Sequence, residues 1–259
     1  MVQSRRSVAL ITGIAVVVAA GCNLQLSTDV EASDTWTRTY PISATGSLSI
    51  TNSNGRIDVT GTDGTEIEIS AERIVRAGSE EAVNEQLKVF EMNEEVTPDR
   101  ISIDSSNRGI PLNTHRRVNY TVRVPRGITV RLQSSNGDLS AEALTGSFIA
   151  RTSNGRIRGT ELAGPTQATT LNGIVELTMA AIAEGGVTAE TSNGRVTVAL
   201  PRDAHARISA RVANGSISHD GLDLQIIESS RRRLDSRLGD GGPEVRAETS
   251  NGTVRLVGR

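Results

Sequence analysis

The chain has 259 residues, of which 36% are hydrophobic and 2% aromatic, and its formal net charge is −2. A charge so close to zero gives no electrostatic reason to expect a nucleic-acid partner. All five aromatic residues come before residue 149, which excludes a thick aromatic-rich core in the C-terminal half, because such cores depend on the large area that aromatic rings bury. The composition therefore predicts a thin core of small and β-branched residues.

Residues 1–21 have the pattern of a secretory signal. Two arginines precede an apolar stretch, Val8 to Ala20, that is too short to span a membrane. The segment that ends in Cys22 resembles the lipobox of bacterial lipoproteins, although Ala19 stands where Leu, Val or Ile is usual. The resemblance implies that Cys22 is the lipid attachment residue and that the protein is an exported lipoprotein of the cell envelope. Asn23 after the cysteine favours the outer membrane, and the alternative is a plain signal peptide with an incidental cysteine.

The composition divides the rest of the chain into a tether and one domain. Residues 22–34 are short and polar, which predicts a lipidated tether. Residues 35–259 are predicted to form a single β-repeat domain. Its predicted parts are an N-terminal insertion or cap at 62–128, regular coils at 129–215, a second insertion at 216–243, and the last coil at 244–259.

The domain contains a repeat marked by the dipeptide Asn-Gly. The dipeptide occurs seven times, and apart from two insertions it recurs every 18 to 21 residues. Chance does not produce such spacing, so each unit is predicted to be one structural repeat. The seven predicted turns are Asn54-Gly55, Asn136-Gly137, Asn154-Gly155, Asn172-Gly173, Asn193-Gly194, Asn214-Gly215 and Asn251-Gly252.

Apolar or small residues alternate with polar ones on both sides of each turn. The predicted interior positions lie six, four and two residues before the Asn and three residues after it. This period of two is typical of a half-buried β-strand. In one unit these positions are Phe148, Ala150, Thr152 and Ile157, while Arg151 and Arg158 point outwards.

Two all-β architectures fit this pattern. Asn-Gly is the strongest short signal for a β-hairpin, which allows a β-meander or a sandwich of hairpins. An open sheet of many strands needs a second covering layer, however, and no helical or aromatic-rich segment offers one. A β-solenoid closes on its own narrow interior and aligns its Asn side chains into a ladder. The sequence therefore favours a β-solenoid, a right-handed β-helix-like stack of 18–21-residue coils whose six coils would span about 30 Å.

Several segments resemble a widespread bacterial family of β-strand-repeat, adhesin-like proteins, a domain of unknown function. The resemblance covers about residues 36–259. It implies a β-helix-like fold and an envelope or surface location, and it implies no catalytic residues. The segments that carry it are Tyr120 to Gly127, Thr152 to Ile157, Thr191 to Val196, Gly239 to Pro243 and Thr249 to Val254.

The insertion at 62–128 is predicted to contain one short helix and several strands. Ser79 before two glutamates is typical of a helix N-cap, and the helix is predicted to run to about Val89. We expect the insertion to cap the N-terminal edge of the stack, with a recognition module as the alternative. The predicted strands are Glu66 to Val75, Arg100 to Asp104 and Val118 to Val124, and the residues of the helix expected against the sheet are Ala82, Val83, Gln86 and Leu87.

The insertion at 216–243 carries a group of arginines. These could bind phosphate or acidic sugars, but interleaved acids favour a solvated loop, and Leu222 to Ile227 could form one more strand. The arginines are Arg231, Arg232, Arg233 and Arg237.

The residues that could carry chemistry are few and dispersed. Outward acids on different coils could become neighbours, as in β-helix enzymes that act on polysaccharides, but they are equally the ordinary polar face of a strand. The histidines have no metal-ligand spacing and no nucleophile motif beside them. No catalytic, cofactor-binding or metal-binding residue and no cofactor is predicted. The acids are Glu176, Glu190 and Glu248, and the histidines are His115, His205 and His219.

The sequence thus favours a non-enzymatic, lipid-anchored envelope protein that serves as an adhesin, binding module or scaffold. Its expected partners are the membrane, through lipidated Cys22, and an unknown envelope protein or surface glycan. The alternatives are a polysaccharide-acting β-helix enzyme and a structural or stress-responsive envelope component.

Overall fold

The structure is a computed structural model that describes residues 29–106 and 114–259. Within these ranges the chain forms eighteen strands and one nine-residue helix, so the predicted all-β class and its single short helix are confirmed. The elements are Val30–Pro41 (β1), Ser47–Asn54 (β2), Ile57–Thr62 (β3), Glu66–Ala77 (β4), Glu80–Lys88 (α1), Asn93–Thr97 (β5), Arg100–Ser105 (β6), His115–Pro125 (β7), Thr129–Asn136 (β8), Leu139–Glu142 (β9), Phe148–Asn154 (β10), Ile157–Leu162 (β11), Thr166–Asn172 (β12), Val175–Met179 (β13), Val187–Leu200 (β14), Ala206–Asp220 (β15), Leu224–Ser230 (β16), Arg233–Leu238 (β17) and Glu244–Gly258 (β18).

Strand pairing arranges the chain as two ladders, one on each side of the Asn-Gly turns. The first ladder contains the strands before the turns, in the order β5, β6, β2, β8, β10, β12, β14, β18, β15, β17, β16. The second contains the strands after them, in the order β1, β4, β7, β3, β9, β11, β13, β14, β18, β15. Three long strands, β14, β18 and β15, pass through their turns and belong to both ladders. Pairing is parallel from β6 to β15 in the first ladder and from β7 to β15 in the second. Antiparallel strands are added at both ends of the first ladder but only at the N-terminal end of the second.

The hairpin alternative is wrong. Strands on either side of an Asn-Gly pair in parallel with strands of neighbouring units, so that Asn154 lies opposite both Asn136 and Asn172. A type I′ hairpin turn needs a positive φ at both Asn and Gly. Among the described residues, the non-glycine residues with a positive φ are Ala143 and Glu161. The Asn of each turn therefore does not have the positive φ that a type I′ turn requires. The chain therefore bends at the glycine without folding back on itself.

The order of strands in space differs from their order in the chain. The C-terminal strand β18 lies between β14 and β15, with parallel partners on both sides. The last coil in sequence is therefore an interior coil. Ten steps of about 4.8 Å separate β5 from β16, so the first ladder is roughly 48 Å long and exceeds the 30 Å expected for six coils.

The extra length comes from the two insertions. In the first, Ile101 and Ile103 of β6 lie opposite Leu48 and Ile50 of β2, which makes part of the insertion a further layer of the stack. Helix α1 forms as predicted, since the Ser79 hydroxyl accepts a hydrogen bond from the Ala82 N–H over 3.2 Å. In the second insertion, the expected additional strand is β16, beginning two residues later than Leu222.

The predicted tether is too long. Residues 30–34 belong to β1, which pairs antiparallel with β4 from Val30 to Pro41. Asp34 also accepts a hydrogen bond from the Arg73 side chain over 2.8 Å, so a residue assigned to the tether is held by the fold. The reason is that this polar stretch still alternates as an edge strand does.

The predicted interior positions are confirmed by burial. Every residue two, four or six positions before an Asn is at most 6% exposed, including the five alanines of the middle coils and the C-terminal end. Three positions after the Asn, the same holds for each coil except that of Ile217, which is only partly buried. Ile217 is the exception because it lies on β15, the outermost strand of the second ladder.

Candidate functional site

The seven Asn side chains form one continuous row along the stack. Each side-chain amide donates to the side-chain carbonyl of the neighbouring Asn over 2.9–3.1 Å, and Asn54 ends the row by donating to the Arg116 carbonyl over 3.2 Å. Each Asn within the row therefore has both its side-chain N–H and its side-chain carbonyl engaged in hydrogen bonds along the stack. The order in space is Asn54, Asn136, Asn154, Asn172, Asn193, Asn251, Asn214.

The threonine and the glycine of the Thr-Ser-Asn-Gly motif hold the same corner from within. The buried Thr191 hydroxyl donates to the Gly173 carbonyl of the adjacent coil over 3.2 Å, and Thr152, Thr170 and Thr249 make the equivalent bond. At Gly194 φ is +151°, and a Cβ there would lie 1.8 Å from the Gly173 carbonyl oxygen. Only glycine permits this approach. The motif is explained by stacking, and the serine is left on the outer face.

On the outer face of the second ladder, several charged residues pair with residues of opposite charge on adjacent strands. Arg158 and Glu176 lie in register on adjacent strands and form an ion pair of 3.1 Å. At the N-terminal end, Arg123 pairs with Glu68 over 3.6 Å. Exposed pairs of this kind contribute little stability and leave little unbalanced charge.

The three outward acids considered in the sequence do not form one cluster. Glu176 lies on the second ladder, whereas Glu190 and Glu248 lie directly opposite each other on β14 and β18 of the first ladder. Arg246 bridges these two carboxylates, at 3.7 Å from Glu190 and 2.9 Å from Glu248. The hydrogen bond to Glu248 raises the pKa of Arg246. Arg211 also lies 3.9 Å from Glu248, so two carboxylates and two guanidinium groups form a compact charged group.

This group lines a groove of about 800 Å³ on the outer face of the first ladder, which we name the C-terminal groove. Leu171 contributes an apolar surface that is 52% exposed. Arg232 lines the groove from the turn between β16 and β17, and its guanidinium has no partner among the residues that the structure describes. The charged lining residues are Glu190, Arg211, Arg232, Arg233, Arg246 and Glu248.

The arginines of the second insertion have different environments. Arg233 binds Asp235 over 2.7 Å and Glu228 over 3.3 Å, and the bond to Asp235 raises its pKa. Arg237 lines a smaller groove of about 320 Å³ beside the first. The predicted solvation and charge balance are confirmed, since Arg231, Arg232 and Arg233 are exposed and Arg233 binds two of the interleaved acids. The segment is a hairpin and not a loop, however, and β16–β17 carries Arg232 and Arg233 to the C-terminal groove.

A second groove, of about 710 Å³, lies at the N-terminal end. Three of its four arginines are held by the fold: Arg56 forms an ion pair with Asp58 over 3.2 Å, Arg76 forms one with Asp29 over 2.9 Å, and Arg116 donates to Gln86 over 2.7 Å, whereas Arg117 is exposed. The Arg116 guanidinium also lies 4.8 Å from the centre of the Phe90 ring. We place the candidate site at the C-terminal groove because that groove combines the adjacent carboxylates of Glu190 and Glu248 with arginines and the exposed Leu171.

The histidines do not form a metal site among the described residues, where no group of three potential ligands occurs. His205 accepts a hydrogen bond at Nδ1 from the backbone N–H of Asp240 over 3.0 Å. His115 lines the N-terminal groove, and His219 is exposed near the end of β15.

Sequence reasoning missed the C-terminal groove although it singled out several of its residues. Glu190 and Glu248 are 58 residues apart, and they become neighbours because β18 inserts beside β14. Leu171 was detectable, since it occupies an outward position that serine holds in most other units.

Cys22 and the predicted signal lie outside the described residues, so their assignments remain predictions. In the described part of the chain, no helix has the length and apolar character that crossing a membrane requires.

No protein-family model and no curated protein sequence matches the chain. Three solved structures are similar to it. A candidate cell adhesion protein from Clostridium sporogenes has 13% identity and a TM-score of 0.46, covering 87% of this chain and 100% of its own. A candidate adhesin from Bacteroides fragilis has 15% identity and a TM-score of 0.44, covering 87% and 97%. A candidate lipid-binding protein from Parabacteroides distasonis has 11% identity and a TM-score of 0.29, covering 86% and 96%.

Proposed function

We propose that the chain is a non-enzymatic, lipid-anchored protein of the cell envelope that binds a surface glycan in its C-terminal groove. In this proposal the two ladders are the sides of a right-handed β-solenoid, and the solenoid is a rigid scaffold for the groove. The observation that carries the proposal is the composition of the groove lining, which combines guanidinium groups, carboxylates and one exposed apolar side chain.

The ligand chemistry follows from these groups. Arg232 offers an unpartnered cation at the rim, which favours an anionic group on the ligand. Glu190, Glu248 and Arg246 offer charged acceptors and donors to hydroxyl groups, while Leu171 offers a surface for the apolar face of a sugar ring. A glycan that carries carboxylates fits all three features.

Polygalacturonate, a polymer of uronic acids, is a direct probe of this groove. We expect Arg232→Gln to weaken its binding about tenfold, because one charge-assisted contact is lost. The measurement is calorimetric titration with neutral dextran as the reference ligand. Arg195→Gln is the matched control, since Arg195 is an exposed arginine on the second ladder, and equal losses in both variants would contradict the proposed site.

The membrane partner is proposed from the position of Cys22. Six residues lie between it and Asp29, so the seven steps reach about 25 Å when fully extended, and lipidation would hold the N-terminal end of the stack close to the bilayer. We expect Cys22→Ser to abolish partitioning into a detergent phase. A variant that still partitions would remove the anchor from the proposal.

A polysaccharide-acting enzyme is the second candidate, favoured by the adjacent carboxylates of Glu190 and Glu248. Release of new reducing ends from a glycan panel tests it. Turnover that disappears in Glu190→Gln and Glu248→Gln would replace the binding proposal.

A further inference from the structure

The strand β16 at the C-terminal end of the stack has one open edge. It pairs antiparallel with β17 on one side, and none of the strands that the structure describes pairs with it on the other. An open edge presents unpaired backbone N–H and C=O groups, to which another strand can add.

Two adjacent isoleucines make this edge apolar. Ile226 is 52% exposed and Ile227 is 66% exposed, in the middle of the strand. The register with β17 shifts between Ile226 and Glu228, so Ile227 has no partner on β17. Because exposed branched apolar residues on an edge favour association, the strand is suited to a short stretch of pairing centred on Ile227.

The edge strand at the other end of the same ladder is protected. The middle of β5 carries Glu94 and Glu95, and Glu94 is held by Tyr40 and by Arg38. Charged residues on an edge oppose pairing with another chain. The two ends of the ladder are thus not equivalent, and a contact between copies is expected at β16.

The charges that flank β16 identify the partner. Asp223 precedes the strand and Arg231 follows it, and neither has an ion-pair partner among the described residues. The other charges nearby do have partners, since Arg233 binds both Glu228 and Asp235. An antiparallel copy of the same strand, with Ile227 opposite Ile227, would place each Asp223 opposite the Arg231 of its partner.

We propose that β16 is a self-association site at which a second copy of this chain adds antiparallel about a two-fold axis through Ile227. A two-fold contact uses the same patch on both copies, and this strand is self-complementary in shape and charge. The contact joins two molecules by their C-terminal ends, opposite the end from which the N-terminal segment emerges.

The test uses the full-length chain in detergent micelles, with sedimentation equilibrium to measure the dimer dissociation constant. We expect Asp223→Arg and Arg231→Asp each to weaken the dimer about tenfold or more, because like charges then meet twice across the axis. Mixing the two single variants restores opposite charges at both positions, so a heterodimer of near wild-type affinity is expected. Arg195→Asp on the other ladder is the control and should leave the dimer unchanged.

Circular dichroism of each variant verifies that it is folded. A wild-type chain that stays monomeric at a protein concentration of about 100 μM, which is 100 times a micromolar dissociation constant, overturns the proposal. A dimer that is insensitive to the two charge reversals, or a mixture of the two variants that does not restore it, also overturns it, because the contact would then lie elsewhere.

Discussion

The two ends of the stack differ in how they close the core. At the N-terminal end, β4 and β1 continue the second ladder and helix α1 packs against both, burying Val83 and Phe90. At the C-terminal end, the β16–β17 hairpin extends one ladder only, and Ile217 and Ile226 remain partly or largely exposed. A repeat stack therefore needs covering layers on both ladders to finish its core, and in the described chain only the N-terminal end has them, from β1 and the insertion at 62–128.

The largest expected effect compares the terminal turns. Gly55 has φ +111°, and a Cβ there would lie 2.2 Å from the Val118 carbonyl oxygen of β7, while Gly137 lies on its other side. We expect Gly55→Ala to cost about 4 kcal/mol or more of unfolding free energy, because neither neighbouring strand can yield. Urea denaturation followed by circular dichroism measures this cost.

The matched variant at the other end is Gly215→Ala. A Cβ at Gly215 would lie 1.7 Å from the Gly252 carbonyl oxygen, but in the described chain no strand covers the outer side of this turn. The outermost strand can move into solvent, so a loss of about 1–2 kcal/mol is expected. Equal losses for the two variants would show that both ends are equally constrained.

The next comparison concerns the apolar residues of the two ends. Phe90 is 3% exposed, and the guanidinium groups of Arg73 and Arg116 lie against its ring. We expect Phe90→Ala to lower the unfolding free energy by about 3–5 kcal/mol at most. Ile226→Ala, measured at a concentration where the chain is monomeric, should change it by less than about 0.5 kcal/mol. A large loss from Ile226→Ala would mean that the C-terminal end is covered in solution.

The smallest effect compares an interior and a terminal member of the Asn row. Asn193 donates to Asn172 and accepts from Asn251, whereas Asn214 makes one bond, to Asn251. At about 1 kcal/mol for each bond, Asn193→Ala should cost about twice as much as Asn214→Ala. Thermal unfolding of both variants gives the ratio, and a ratio near one would indicate that neighbouring amides re-pair around the gap.

Much of the coil could be predicted because its determinants are local. The offsets from each Asn-Gly identified the buried positions, and the Asn row was expected from the repeat alone. The hairpin alternative gave the wrong turn geometry. Asn-Gly in isolation favours a type I′ turn, but the stacking of neighbouring coils imposes a different bend. Ile101 and Ile103 also follow the repeat pattern, six and four residues before Asn107, but Arg108 follows that Asn, so a search for Asn-Gly does not find this coil.

The candidate site could not be predicted, since its residues come from coils that are distant in the chain. Glu190 and Glu248 meet because β18 inserts between β14 and β15, and Arg232 reaches them on a hairpin that pairs with β15. Nothing in the local pattern specifies which coil stacks on which, because every coil offers nearly the same interior of alanine, threonine and valine.

The all-β class and the repeat could be predicted from the sequence alone, as could the interior positions and the absence of aromatic rings from the narrow C-terminal core. These features are set by alternation and by side-chain size, which act within one coil. The tertiary structure alone decided the order of the coils, the unequal ends, the C-terminal groove and the open edge at β16. Those features depend on contacts between coils that are almost identical in sequence. The local pattern therefore does not specify which coils pair, and the pairing at the ends of the stack has to decide it.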